Sequence, residues 1–271
     1  MELVNFHCHS GYCGHGEGAL ADYIANAQAA GITHLALTEH FPLSLKMDPH
    51  EFLSVPASRM DSYVTEVKQL QEANPDFDLL LGIELDYLGD LEDRQFPEGC
   101  FDPFQVVLGS VHFIDGWAFD DPDDRGPWDE PGAPDAIWKR YFELWLDAVS
   151  DKSYPFQIMS HPDLAKKFGY YPTFDLQPYY QQAAEAAAAA DRMIELNTSG
   201  ARKTCGEMYP SLGFLREFNR AGVPCSLGTD AHHPVDVAAG ILQGYDLLRE
   251  AGYREVTILT KDGDRRPIPL T

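Results

Sequence analysis

Two hydrophobic patterns alternate along this chain. Short apolar runs have the length and composition of buried strands, and the segments between them carry apolar residues every three or four positions, as on one face of a helix. The runs predict strands at residues 5–10, 34–40, 79–85, 105–112, 156–161, 193–197 and 224–230. The longer segments predict helices at residues 19–30, 57–73, 135–150, 177–191 and 212–221.

The order of these elements predicts the fold class. Each predicted strand carries a histidine, glutamate, asparagine or aspartate at or near its end, and we expect a helix between each strand and the next. This favours an α/β fold, a parallel TIM-like (β/α)7 barrel with its chemistry at the C-terminal strand ends. Since no linker divides the sequence, we expect one barrel domain over residues 1–271. Residues 255–259, the turn at Asp262-Gly263 and residues 266–270 predict either a hairpin or an eighth strand.

Residues 113–134 break the alternation. They are acidic and rich in proline and glycine, and include Asp120-Asp121-Pro122-Asp123-Asp124. We predict a long surface loop here, and leave open whether it acts as a lid.

Composition and charge narrow the function classes. The hydrophobic content of 44% suits a globular protein with a sizeable core. The formal net charge of −23 argues against a nucleic-acid partner, whose phosphates would be repelled. The sequence has neither an apolar run long enough to span a bilayer nor a signal-peptide pattern, and its five cysteines include no Cys-x-x-Cys pair. We expect a soluble cytoplasmic protein with reduced thiols, a small-molecule substrate and no membrane partner; its oligomeric state stays open.

Candidate metal ligands lie at the strand ends. His7 and His9 are one residue apart, so on a strand both side chains point the same way. We expect His34 and His50 to be surface residues instead. Carboxylates and imidazoles buried together at a barrel mouth need a cation to neutralise them, so the pattern predicts a metal site. Its ligands would be His7, His9, His15, His40, Glu84, His112, His161, Asp230 and His232.

The motifs around these residues resemble those of the polymerase and histidinol phosphatase (PHP) superfamily of metal-dependent phosphoesterases. They follow the family's order and cover nearly the whole chain. They are Phe6-His7-Cys8-His9-Ser10, His15, Thr38-Glu39-His40, Gly82-Ile83-Glu84, Gly109-Ser110-Val111-His112, Ser160-His161-Pro162-Asp163 and Gly228-Thr229-Asp230-Ala231-His232. Residues 161–169, 197–203 and 207–211 further resemble the histidinol-phosphate phosphatases.

The resemblance implies a distorted seven-stranded barrel that holds three divalent metal ions, which are zinc, iron or manganese in the family. It also implies hydrolysis of L-histidinol phosphate to L-histidinol and inorganic phosphate, a reaction of histidine biosynthesis. Carried over by position, His7, His9, Glu84 and Asp230 would bind the first metal, Glu84, His112 and His161 the second, and His15, His40 and His232 the third.

Clustered divalent ions can activate water near neutral pH and stabilise charge on a phosphoryl group. The catalytic candidates are therefore Glu84, Asp230 and His232, together with Arg202, whose guanidinium can clamp phosphate with two hydrogen bonds.

Other residues are candidates for contact with the substrate. Lys166 and Lys167 are weaker candidates than Arg202 for binding phosphate. The amine and imidazole of the substrate need acidic or hydrogen-bonding partners, for which we predict Glu207, Asp163 and Asn197.

Three alternatives remain at this point. The substrate could be another small phosphate monoester or phosphotyrosine. Amidohydrolases also begin with His-x-His on a barrel strand, but they commonly bridge two metals through a lysine, whereas this chain has Glu84 at the expected bridge. A barrel with purely structural metals is disfavoured, because structural sites are closed and few.

Overall fold

A computed structural model describes residues 1–91 and 96–270 of the chain. Its strands are β1 (Val4–Asn5), β2 (His34–His40), β3 (Asp78–Asp86), β4 (Val106–Ser110), β5 (Phe113–Ile114), β6 (Trp117–Ala118), β7 (Ile158–Met159), β8 (Met193–Asn197), β9 (Cys225–Gly228), β10 (Glu255–Leu259) and β11 (Arg265–Pro269). Its helices are α1 (Leu20–Ala29), α2 (Met60–Ala73), α3 (Ala133–Ser150), α4 (Gln177–Ala189), α5 (Leu212–Arg220) and α6 (Ile241–Ala251).

Seven parallel strands form the barrel, in the order β1, β2, β3, β4, β7, β8 and β9. The register of β2 and β3 pairs His40 with Glu84 at their C-terminal ends. β1 also lies beside β9, where the Phe6 amide donates to the Leu227 carbonyl at 2.8 Å. The predicted (β/α)7 barrel is therefore confirmed, and the strand ends converge on one mouth.

The helices cover the outside of the barrel with apolar faces. α3 buries Trp138 and Trp145, and α4 presents a face of fully buried alanines at 183, 184 and 187. These small side chains let α4 pack closely between α3 and α5. None of the helices in the described ranges is both long enough and apolar enough to cross a membrane.

Several predicted element bounds are too long at the barrel mouth. β7 spans two residues and β9 four, because the backbone turns into positive φ at His161 (25°) and Asp230 (49°).

Three further elements differ from the prediction or complete it. Between β3 and β4 the described residues contain a single 3₁₀ turn at Gly89–Leu91 in place of the expected helix. α6 was not predicted, although Ile241, Tyr245 and Leu248 have helical spacing and are buried. The C-terminal segment is a hairpin of β10 and β11, not an eighth barrel strand.

The prediction of a surface loop over residues 113–134 is wrong for part of the segment. It begins with a hairpin of β5 and β6, and it buries the side chains of Phe119 and Trp128 beside α3. The prediction failed because the many acidic residues of the segment make it polar on average, although it contains these two large buried aromatic side chains.

His34 is also not a surface residue. Its side chain is buried between two carboxylates, with Nδ1 2.6 Å from Asp78 and Nε2 2.6 Å from Glu2. Strand pairing explains the error, because His34 lies directly opposite Asp78 in the register of β2 and β3. His50 is exposed, as predicted.

Candidate metal centre

All nine predicted ligands lie at the C-terminal mouth of the barrel. His40 and Glu84 belong to β2 and β3, and the others follow strand ends or the first turn after them. They form groups in which ligand atoms lie within 4.8 Å of one another. The chain thus brings its imidazoles and carboxylates together at one end of the barrel.

The first group joins β1 to β3 and β9. His7 Nε2 and His9 Nε2 are 3.0 Å apart, and each is 3.3 Å from Glu84 Oε2. Asp230 Oδ1 lies 3.7 Å from His7 Nε2 and 3.4 Å from His9 Nε2. Ligands about 2.0–2.2 Å from a tetrahedral ion are about 3.3–3.6 Å from one another, so this group has the spacing of a metal shell.

The second group uses the other oxygen of Glu84. Glu84 Oε1 lies 2.9 Å from His161 Nε2 and 3.7 Å from His112 Nε2, and the two imidazole nitrogens are 3.3 Å apart. Glu84 therefore directs one oxygen to each group, which is the geometry a bridging carboxylate requires.

The third group is less regular. His15 Nε2 and His232 Nε2 are 3.0 Å apart, and the His40 ring centroid is 5.1 Å from that of His15. Two overlapping sets meet the 4.8 Å spacing: His232 with His9 and His40, and His232 with His15 and Cys13. Cys13 was not among the predicted ligands.

Unpaired polar atoms fit the binding of divalent metal ions. Within the described part of the chain, His40 Nε2 and His9 Nδ1 are buried and have no hydrogen-bond partner. Leaving such groups unpaired is costly unless a cation binds them. The buried Glu84 Oε2 has three imidazole nitrogens within 3.3 Å. The mixed imidazole and carboxylate donor set suits zinc, iron and manganese alike.

The charges at the centre favour metal binding. Burial opposes ionisation of Glu84, but His7 and His40 hold the pKa of its carboxyl well below the usual range. Burial lowers the pKa of His15 to about 4 and that of His232 to about 3. Near neutral pH Glu84 is therefore ionised and His15 and His232 are neutral, which are the forms that ligate metals. Burial opposes protonation of His7, His40 and His112 as well, but neighbouring carboxylates raise their pKa values, so these three imidazoles must lose a proton when a metal binds.

Glu195 supports the first and second groups, and the sequence analysis missed it. Its Oε1 lies 2.9 Å from His7 Nδ1, and its Oε2 accepts hydrogen bonds from the His161 amide at 2.9 Å and from Asn197 Nδ2 at 3.0 Å. A carboxylate on the second ring nitrogen fixes the orientation of a ligating histidine. Only glycine fits at Gly228, where a Cβ would overlap Glu195 Oε1 and the His7 side chain.

Asp86 plays the same part for His112, whose Nδ1 lies 2.7 Å from Asp86 Oδ1. Asp86 is two residues after Glu84 on β3, and Glu195 is two residues before Asn197 on β8, so each shares a strand face with a predicted site residue. That period of two is the signal that could have identified both carboxylates.

Asp48 organises the loop between β2 and α2. Its carboxylate accepts hydrogen bonds from the amides of Phe52, Leu53 and Ser54 at 2.8 to 3.0 Å. The Phe52 carbonyl is in turn 3.0 Å from His15 Nδ1. The loop built on Asp48 thus sets the orientation of a predicted third-metal ligand.

Three predicted substrate residues bind one another. The buried Lys166 ammonium donates to Asp163 Oδ2 at 3.2 Å, Glu207 Oε2 at 3.3 Å and the Met208 carbonyl at 2.8 Å. All three of its donors are used, which gives Lys166 a role in holding the loop before α5. Burial raises the pKa of Asp163 to about 6. The Glu207 side chain keeps 54% of its surface exposed, so it is the accessible member.

Asn197 is the last residue of β8, and Arg202 lies on the segment that follows. Arg202 is exposed, and its Nη2 donates to the carbonyl of Thr229, the residue before Asp230, at 2.9 Å. Asn197 is buried, and its side chain holds Glu195 and the Ser199 amide. Arg202 is therefore placed to reach the barrel mouth, whereas Asn197 supports the ligands indirectly, through its hydrogen bond to Glu195.

The family model described as PHP domain matches residues 5–199 of this chain. The chain belongs to the PHP domain family. This PHP chain is 31% identical over 260 residues to the probable histidinol-phosphatase of Deinococcus radiodurans, with 94% of this chain and 96% of the relative covered. It is 24% identical over 288 residues to that of Schizosaccharomyces pombe, with coverage of 96% and 90%.

A solved structure shares the fold of the PHP chain. The histidinol phosphate phosphatase of Lactococcus lactis, complexed with zinc, L-histidinol and phosphate, superposes with a TM-score of 0.75 at 20% identity. The match covers 96% of this chain and 97% of the other. At this identity the likeness supports the barrel architecture, which the strand order shows independently.

Proposed function

We propose that this PHP protein is a metal-dependent phosphatase that hydrolyses L-histidinol phosphate to L-histidinol and inorganic phosphate, within histidine biosynthesis. The observation that carries the proposal is the position of Glu84: its Oε1 lies within 3.7 Å of two imidazoles, and its Oε2 lies within 3.3 Å of three others. The family membership and the similarity to probable histidinol-phosphatases support the same substrate.

The centre would hold three divalent ions, of zinc, iron or manganese. His7, His9, Glu84 and Asp230 would bind the first; Glu84, His112 and His161 the second; and His15, His40 and His232 the third. When bound, such ions supply an activated water and stabilise charge on the phosphoryl group.

The protein's own residues position the reactants. Glu195 and Asp86 hold the imidazoles of His7 and His112 in one orientation. Arg202, fixed to the backbone next to Asp230, would clamp the phosphate with its free guanidinium donors.

The other residues predicted to contact the substrate would bind or position its nitrogen groups. Glu207 is exposed beside this segment and would contact a nitrogen group of the substrate. Lys166, Asp163 and Asn197 would act on the substrate through the loops they hold. The five cysteines are all free thiols, which suits a cytoplasmic location.

The substrate is tested by a phosphate-release panel with metal-replete protein. We expect kcat/KM for histidinol phosphate to exceed that for phosphotyrosine and glycerol phosphate by about 10²-fold, because a polar site rejects analogues that leave its groups unpaired. Equal values across the panel would contradict the proposed substrate and leave a general phosphomonoesterase.

A further inference from the structure

Asp120 lies where the acidic segment returns to the barrel mouth. After the hairpin of β5 and β6, the Phe119 amide donates to the His112 carbonyl at 3.2 Å. Phe119 is buried against Trp128, whose indole donates to the Phe119 carbonyl at 2.8 Å. The backbone that carries Asp120 is thus anchored next to a predicted ligand of the second metal.

Lys167 forms an ion pair with Asp120. Its Nζ is 2.8 Å from Asp120 Oδ2 and donates to the Asp120 carbonyl at 2.7 Å. The Lys167 side chain is 17% exposed, and the Asp120 side chain is 20% exposed. The Lys167 carbonyl accepts a hydrogen bond from the Cys205 amide at 3.2 Å, on the segment that also carries Arg202. The pair therefore connects the segments that follow β4, β7 and β8, at a place that solvent can reach.

The Asp120 carboxyl is ionised and close to the second ligand group. The Lys167 ammonium, 2.8 Å from Oδ2, favours the ionised form, and the hydrogen bond from the Phe119 amide to the His112 carbonyl places the adjacent backbone beside that group. A fixed anion next to bound divalent ions would attract a cationic group of the substrate and offset its repulsion by the metals.

Apart from the exposed Glu207, four other carboxylates around the centre are committed to protein groups. Within the described ranges, Glu39 is fully buried and accepts hydrogen bonds from a serine, and Asp86 and Glu195 bind ligand imidazoles. Asp163 pairs with a buried lysine. The partner of Asp120, in contrast, is a partly exposed lysine on a flexible stem, and a bound cation can replace it.

We propose that the Asp120–Lys167 pair selects phosphate monoesters that carry an ammonium group close to the phosphate. The substrate ammonium takes the place of Lys167 on the Asp120 carboxylate, and the released Lys167 ammonium binds a phosphate oxygen. Both charges of the pair are then satisfied by opposite charges of one molecule. A monoester without an amine leaves the Asp120 carboxylate unpaired when Lys167 turns to the phosphate, so it binds less tightly. The inference rests on the proposed function, whose substrate has an amine on the carbon next to the phosphorylated one.

The test compares Asp120→Asn with the wild type on two substrates, histidinol phosphate and its analogue without the amine, 3-(imidazol-4-yl)propyl phosphate. We expect the variant to raise KM for histidinol phosphate about 10- to 100-fold, the effect of losing one charge-assisted hydrogen bond. KM for the analogue should stay the same or fall, because the analogue has no ammonium for Asp120 to bind and the variant has no carboxylate to leave unpaired.

Two further variants separate recognition from positioning. Lys167→Met should impair both substrates to a similar extent, because both carry the phosphate. Asp124→Asn removes an exposed carboxylate of the same segment and should change neither KM. Melting temperatures of all variants, measured with metal bound, show whether the barrel is folded.

Binding of L-histidinol and of 3-(imidazol-4-yl)propanol, measured by calorimetry on the metal-loaded protein, gives a readout that needs no turnover. Wild type should prefer L-histidinol, and Asp120→Asn should lose the preference. If Asp120→Asn weakens both ligands alike, or neither, the pair does not recognise the amine and the inference is overturned. If the wild type binds L-histidinol selectively but releases no phosphate from its phosphate ester, the recognition stands and the proposed function fails.

Discussion

Glu84 shows how much of the centre depends on single residues. Its carboxylate is buried, faces imidazoles on both sides, and comes from a strand whose register places it opposite His40. The ligand residues could be predicted because their types recur at strand ends. Their supports could not be predicted in the same way, since Glu195 lies within an apolar strand and its role depends on His7, 188 positions away. The period of two along β8 places Glu195 on the same face as Asn197, but it does not identify His7 as its partner.

Glu195→Gln tests the support of the first group. The amide keeps the shape of the side chain but is a poorer partner for the His7 imidazole, so we expect metal affinity to fall about 10- to 100-fold. Metal content after dialysis, and its recovery with added metal, measure the effect. Glu185→Gln, an exposed position on α4, is the matched control. Unchanged metal retention in Glu195→Gln would contradict a supporting role.

At the scale of elements, the loops that follow the strands position the residues of the site as much as the strands do. The loop between β2 and α2 is folded around Asp48, and the segment after β4 is anchored by Phe119 and Trp128. Periodicity predicts helices and strands, because it reports which face is buried. Periodicity does not report the shape of a loop that depends on one buried carboxylate or on two buried aromatic side chains. The sequence therefore predicts only a surface loop over residues 113–134 and misses the hairpin and the buried aromatic residues.

Asp48→Asn tests the loop between β2 and α2. Loss of acceptor capacity should release the Phe52 carbonyl from His15, so the third ion should dissociate first. We expect metal content to fall from about three ions per chain to about two, with the remaining ions held as tightly as before. Metal analysis of dialysed protein measures this, with the exposed Asp76→Asn as control. Loss of all ions together would show that the loop does not act on the third site alone.

At the scale of the whole molecule, the barrel turns distant positions into one centre. His7 and Asp230 lie near opposite ends of the sequence, yet the Asp230 amide donates to the His7 carbonyl at 2.8 Å because β1 lies beside β9. The alternation of strands and helices predicted the barrel, and the residues at the strand ends predicted which end of it carries the metal centre. The mouth geometry was not, because the chain leaves the regular strand there with positive φ at His161 and Asp230.

Hydrolysis of histidinol phosphate at this centre requires bound metal. The most direct test is phosphate release from histidinol phosphate by metal-replete protein, before chelation, after chelation and after metal is restored. We predict turnover that is lost on chelation and recovered with zinc, iron or manganese, while the melting curve shows that the chelated barrel remains folded. Phosphate release that persists in metal-free protein, or none in the metal-replete protein, would contradict it.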